Sequence, residues 1–206
     1  MMVELDTVQT QVRIEATGPV RDRENLVPAM MFNEYFSGGM SGIVFQQIRE
    51  ARGLAYSAGA RYIVGSHPGE EDLMIQVAGT QAENTNEALN EMIRIMEDLP
   101  KESERYTRAK QSVEARMRTN RIGFRGLIDS LRTWERLGYE EDPNKMFFEK
   151  MLGFSFDQML QFHDEVIKNQ DWRVVVVGNE ERLGELDFAN EAKVRKVSVD
   201  EIFPEE

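Results

Sequence analysis

The sequence predicts an α+β fold, a mainly antiparallel sheet with helices packed on one face. Three observations carry this. Residues 8–16 alternate, Val8, Thr10, Val12, Ile14 and Ala16 against Gln9, Gln11, Arg13 and Glu15, which is the period of a strand with one wet face. Two further strand-like runs, 54–64 and 72–80, are joined by the turn-rich Gly65-Ser66-His67-Pro68-Gly69, as in a hairpin-connected pair. Helical periodicity comes in blocks between these strands, which opposes a doubly wound parallel sheet.

Each element has a local chemical cause. Gly18-Pro19 ends the first strand. Residues 23–36 predict a helix with Leu26, Val27, Met30, Met31 and Phe36 apolar, stopping at Gly38-Gly39. Ser41 is expected to cap the next helix, through Ile43, Val44, Phe45 and Ile48 to about Arg52, with Gly53 closing it. Asn84 and Glu87 have capping-box spacing before a helix with Ala88, Met92, Ile95, Met96 and Leu99 on one stripe. Pro100 breaks that helix, and Ser103 is expected to cap a longer one reaching about Arg121. Helical sequence resumes over 124–137, 145–152 and 156–168; 172–177 fits a buried strand, and 194–199 an edge strand before the acidic tail. Met30, Met31, Met92 and Met96 are assigned to the core.

The 206 residues show no linker or low-complexity segment, so 1–206 reads as one domain. With 25 Lys and Arg against 37 Asp and Glu, the net charge of −12 opposes nucleic-acid or anionic-membrane binding. No run of about 18 apolar residues is present, so no membrane span is expected. The N-terminus lacks the basic start and apolar run of a secretory signal, and the compartment stays open. The immediate entry into strand-like sequence after Met2 reads as a cut from a longer chain. Zero Cys removes disulfides, thiolate zinc sites and cysteine catalysis. The two histidines, His67 and His163, lie far apart, give no two-His helical motif, and are expected at the surface or its boundary. Residues 101–136 hold ten basic and five acidic side chains. They form either a solvated helical face with internal ion pairs or a positive wall facing a substrate or partner domain.

The stretch 37–62 carries the function. Gly38-Gly39-Met40-Ser41-Gly42 lacks the Lys of a phosphate loop, and Ile43 stands where a nucleophile elbow needs Gly. The Gly-Gly-Met-Ser turn, the helix with Phe45 and then Arg49, and the Gly53-Leu54-Ala55-Tyr56 strand entry together resemble the insulinase, pitrilysin and mitochondrial processing peptidase family of zinc metallopeptidases, the inverzincins. The resemblance implies one half of a clamshell built from two related α+β domains around a closed chamber. One half holds a His-x-x-Glu-His zinc helix; the other lacks zinc and supplies an Arg and a Tyr to the substrate. Residues 24–37 match the zinc helix but read Ala29-Met30-Met31-Phe32-Asn33-Glu34-Tyr35, without His. The chain therefore resembles the zinc-lacking half. Arg49 and Tyr56 take the substrate-contacting places, with the loop Gly38, Gly39, Met40 and Ser41 beside them; Arg52 either joins them or only closes its helix. One departure is Ile43-Val44, where the family often has a polar or basic residue.

The resemblance further implies an accessory domain with no catalytic residue, metal ligand or cofactor of its own. Zinc is expected in a catalytic partner domain on the same or a sister chain, the other partner being a peptide substrate, and the chain alone is expected to be inactive. The isolated domain could also pair with itself. A guanidinium and a phenol are suitable donors to a peptide carbonyl or its developing oxyanion. On the residues alone, Arg49 could equally offset a helix C-terminal dipole while Tyr56 packs at the sheet rim. The alternative function is a structural or assembly subunit without a proteolytic role.

Overall fold

The computed structural model describes residues 1–50, 52–183, 186 and 195–203. In chain order the elements are β1 (Met2–Glu4), β2 (Thr10–Val20), α1 (Leu26–Ser37), β3 (Ala55–Ile63), β4 (Glu71–Thr80), α2 (Thr85–Glu97), α3 (Ser103–Thr119), α4 (Leu127–Arg136), α5 (Pro143–Gly153), α6 (Phe156–Phe162), β5 (Arg173–Gly178), α7 (Glu180–Leu183), β6 (Lys196–Val197) and α8 (Val199–Ile202). The sheet order is β3-β4-β2-β5-β1-β6. Pairings β3/β4, β4/β2 and β2/β5 are antiparallel, while β1 runs parallel to both β5 and β6. The sheet is thus mixed but mainly antiparallel, as the alternating pattern predicts.

The even residues of β2, Thr10, Val12, Ile14 and Ala16, are buried, and Gln11, Arg13 and Thr17 stay exposed. On the covered face α1 lies at the centre. Phe32 stacks on Phe36 at 5.0 Å and meets Phe162 at 6.2 Å, and Phe162 stands edge-on to Tyr62 at 5.2 Å. Tyr35 ties α1 to the turn after α2, donating to the Pro100 carbonyl at 2.5 Å and accepting from the Glu102 amide at 2.9 Å. Met31, Met92 and Met96 are fully buried, as assigned, and Met30 partly so.

Several sequence expectations are corrected. Val8 is exposed and precedes the strand, which begins at Thr10. Ser41 caps nothing: its hydroxyl donates to the Gly38 carbonyl inside a tight 3-10 turn, Gly39–Ser41. Asn84 precedes α2 without a side-chain cap bond, and Ser103 is the first residue of α3 rather than its cap. Residues 156–168 split into α6 and a π-helical turn, His163–Ile167. Of 194–199, only Lys196–Val197 forms strand, and Val194 lies outside the described residues, as does the tail 204–206. The three residues of β1 are too few to show a period.

Gln76 on β4 is fully buried, and among the described residues neither end of its amide has a hydrogen-bond partner. An unpaired buried amide costs about 1–3 kcal/mol. Gln76→Leu is therefore expected to stabilise the fold and raise Tm by roughly 3 °C or more, at about 2–4 °C per kcal/mol for a chain of this size. Calorimetry checks this; a lower Tm would mean the amide is bonded.

Glu70 holds the β3–β4 turn. One carboxylate oxygen accepts from the amides of Ser66 at 2.7 Å and His67 at 2.9 Å, and the other lies 2.7 Å from His67 Nδ1. The amide bond from His67 is the main cause that holds this carboxyl below its ordinary range. A group whose folded pKa is depressed contributes stability above its unfolded pKa and loses it as pH falls through the folded value. Acidification through that window should lower the amide-exchange protection factors of Ser66 and His67; unchanged protection would contradict this.

Candidate functional site

Helix α1 runs beside the edge strand β3. The Asn33 amide donates to the Tyr62 carbonyl at 2.8 Å and accepts from its N–H at 2.7 Å, while Ser37 Oγ accepts from the Ala60 amide at 2.9 Å. One helix face, residues i and i+4, thereby stands in for a neighbouring strand and covers part of an otherwise open edge. The cleft between the two elements has a volume of about 720 Å³ and is lined in part by Glu34, Gly38, Gly39, Arg61 and Arg116. Glu34 is already engaged, accepting from Ser112 Oγ at 2.6 Å and from Arg116 at 2.7 Å.

The residues of α1 do not fit zinc, which takes three or four N, S or O donors. Met31, Phe32, Tyr35 and Phe36 are turned into the core, Asn33 and Ser37 are bonded to β3, and Glu34 is the helix's single carboxylate. Among the described residues no cluster of three or more His, Asp or Glu could hold a metal ion.

Gly38 and Gly39 line the cleft; Met40 and Ser41 are not part of its lining. A Cβ on Gly38 would fall 2.1 Å from the Glu34 carbonyl, so the turn excludes a side chain there. Met40 is exposed; its carbonyl accepts from Gln46 at 2.6 Å, and the Ser41 carbonyl accepts from the Arg105 guanidinium.

Tyr56 lies four residues before Ala60 on the same edge strand, roughly 13 Å away at about 3.3 Å per residue. The register steps from Ala55↔Thr80 to Ser57↔Gly79, two residues on β3 for one on β4. This bulge points Ala55 inward and leaves Tyr56 55% exposed; bulges re-aim side chains in this way, often beside active sites. Thr80 Oγ1 secures it by donating to the Leu54 carbonyl at 2.5 Å, and Gln81 donates to the Tyr56 hydroxyl at 2.9 Å.

Arg49 sits on a second irregularity, a π-helical segment at Phe45–Glu50, also a feature frequent at functional sites. Ile48 is fully buried and anchors the segment; Arg49 is exposed. Gly53 closes the segment as expected, with φ +60° and its N–H donating to the Arg49 carbonyl at 3.1 Å. The Arg49 guanidinium lies 5.0 Å over the Phe45 ring, and among the described residues no carboxylate pairs with it. Arg52 differs. It reaches Glu87 at 3.5 Å and the buried Glu91 at 3.4 Å, so its charge fastens this segment to α2.

The histidines divide. His67 is exposed in its turn, but His163 is only 2% exposed, with Nε2 2.6 Å from the Met96 carbonyl and its ring stacked near Phe32. The expected boundary position is corrected: the ring lies in the core, its polar edge satisfied by the Met96 carbonyl and its face against Phe32. Ile43 and Val44, the departure from the family pattern, are fully buried packing residues. Gln81 and Arg105 carry no signal in the sequence, since each acts on a residue distant in the chain and neither belongs to a motif; Asn33 and Ser37 lie in the stretches singled out above, but their partners Tyr62 and Ala60 are 29 and 23 residues further on, so their roles are not legible there.

The site thus consists of a mainly antiparallel sheet with helix α1 bonded along its edge strand β3 and two backbone irregularities that expose Arg49 and Tyr56. The sequence profile described as "Peptidase M16 inactive domain" matches residues 2–113, and the chain belongs to that family. Among solved structures it is similar to the peptidase M16 inactive domain from Pseudomonas fluorescens, with a TM-score of 0.72 and 14% identity over 87% of this chain and 42% of that one. The periplasmic protease PqqL from Escherichia coli matches with a TM-score of 0.67 and 15% identity over 87% of this chain and 20% of that one. A chain of complex III2 from Candida albicans gives 0.67 and 13% over 91% of this chain and 47% of that one. The chain thus spans less than half the length of each of these structures. No curated protein sequence matches it significantly. Among the described residues no helix is long and apolar enough to cross a membrane.

Proposed function

We propose that this inactive M16 domain is the substrate-contacting half of a zinc metalloendopeptidase. It would close a chamber over an extended peptide while a partner domain carries the zinc and the hydrolytic chemistry. The observation that supports this best is the state of Arg49: exposed on a π-helical segment and, among the described residues, without a carboxylate partner. A structural arginine would be expected to resemble Arg52, held by two carboxylates. Tyr56 presents its hydroxyl from a bulge on the strand after this segment. Gln81 uses only an acceptor site on that oxygen, and among the described residues nothing accepts its proton, which can then donate to a peptide carbonyl.

A second reading, a structural or assembly subunit, is favoured by the likeness to the complex III2 chain. Mixing the purified chain with the zinc-bearing domain and a peptide substrate separates the two. The peptidase reading expects hydrolysis only in the mixture, slowed by Tyr56→Phe. Mutual binding without hydrolysis would favour the structural reading, and hydrolysis by this chain alone would contradict both.

A further inference from the structure

Tyr56 is the extra residue of its bulge. Ala55 faces Thr80 and Ser57 faces Gly79, so Tyr56 has no partner across the strand pair. Among the described residues the bond from Gln81 Nε2, at 2.9 Å, is the one hydrogen bond to its hydroxyl.

The Gln81 side chain is exposed, but it starts from a fixed point. Its carbonyl accepts from the Asn84 amide at 3.1 Å and from Thr85 Oγ1 at 3.3 Å, which closes the 3-10 turn Ala82–Asn84 that leads into α2. Thr80, the residue before it, is fully buried, and its hydroxyl reaches the Leu54 carbonyl at the start of the bulge. The residues that set the bulge thus also set where the Gln81 amide lies relative to the Tyr56 hydroxyl.

We propose that Gln81 is a positioning residue, which turns the Tyr56 proton outward to the substrate; this rests on the reading of Tyr56 as a donor to a peptide carbonyl. The physical point is direction. A phenolic proton prefers the ring plane, on one side of the C–O bond or the other, and it rotates to suit its partners. A donor that occupies one side leaves the proton the opposite side. Gln81 therefore settles the hydroxyl's orientation before a peptide arrives, and a preorganised donor needs no reorganisation as charge develops. A carboxylate at position 81 would do the reverse. It can only accept, so it would draw the proton inward.

The test is the steady-state kinetics of the assembled peptidase with variants at both positions. Gln81→Glu keeps the shape of the side chain but reverses the bond, and should lower kcat to about the level of Tyr56→Phe. Gln81→Met removes the bond and should lower kcat by roughly twofold to tenfold, the scale of one neutral hydrogen bond. KM and Tm should stay level in both, since the amide is exposed and the effect falls on the transition state. In a Tyr56→Phe background neither change should lower kcat further, because no proton is left to orient. Wild-type kcat in Gln81→Glu would overturn the proposal, as would a Gln81→Met loss equal in both backgrounds, which would mean that Gln81 acts without Tyr56. If Tyr56→Phe is itself as fast as wild type, the donor reading falls and the positioning role with it, so the two failures are told apart.

Discussion

Asp72→Ala is expected to be the most destabilising single polar change in this chain, lowering Tm by about 10 °C at an assumed loss of about 3 kcal/mol. Asp72 is fully buried on β4, yet it is not orphaned. One oxygen accepts from the Tyr62 hydroxyl at 2.7 Å and the other from the Gly65 amide at 2.9 Å. The pair joins the edge strand β3, the β3–β4 turn and the core under α1. Burial is the largest cause that pushes the Tyr62 phenol far above its ordinary range, with the hydrogen bond to Asp72 next, so Tyr62 remains a donor at any physiological pH. Truncating Asp72 would strand the buried Tyr62 hydroxyl, at about 1–3 kcal/mol, and release the half-buried Gly65 amide as well. Tyr62→Phe removes one bond instead of two and should cost less. The double variant should be no worse than Asp72→Ala alone by much, because both changes act on one shared bond. Thermal denaturation of the three variants checks this, and a Tm within a degree or two of wild type for Asp72→Ala would refute it.

Arg49→Ala is expected to lower kcat of the assembled peptidase by about 10²–10³, the usual loss when one donor to a developing oxyanion is removed. Because a donor aimed at the transition state contributes little to substrate affinity, KM should change much less than kcat. Arg49→Lys keeps the charge but not the planar fork, and should recover only part of the rate. Tm is expected to stay level in both variants, since Arg49 is exposed and its one ring contact is with Phe45. Arg52→Ala supplies the contrast: it should lower Tm by releasing the segment from Glu87 and Glu91. A fall in Tm with unchanged kcat for Arg49→Ala would place that residue in the structural group with Arg52.

Much of the fold is legible in the residues themselves, and the failures have identifiable causes. The alternation through β2 and the stripe of α2 are long enough for their periods to declare both element and buried face. Gly53 declares the end of its helix because its φ of +60° is one that few other residues tolerate. The two irregularities that expose Arg49 and Tyr56 are not legible. A π-helical segment and a bulge each shift the register by about one residue, and that shift is imposed by packing of Ile48, Leu54 and Ala55 against distant elements. Local cap signals at Ser41 and Asn84 mislead for a related reason: a 3-10 turn precedes the helical segment in each case, so these side chains do not reach the expected amides. His163 carries no sequence sign of burial, because its partner is a carbonyl 67 residues away.

Whether the exposed Arg49 and Tyr56 face the substrate can be read from photocrosslinking. p-Benzoylphenylalanine in place of Tyr56, in the assembled peptidase with a slowly cleaved peptide, would be irradiated and the adducts mapped by mass spectrometry. Adducts are expected within a residue or two of the scissile bond, lost when excess unlabelled peptide competes. Adducts confined to the partner domain, or to the remote ends of the peptide, would contradict a substrate-facing Tyr56.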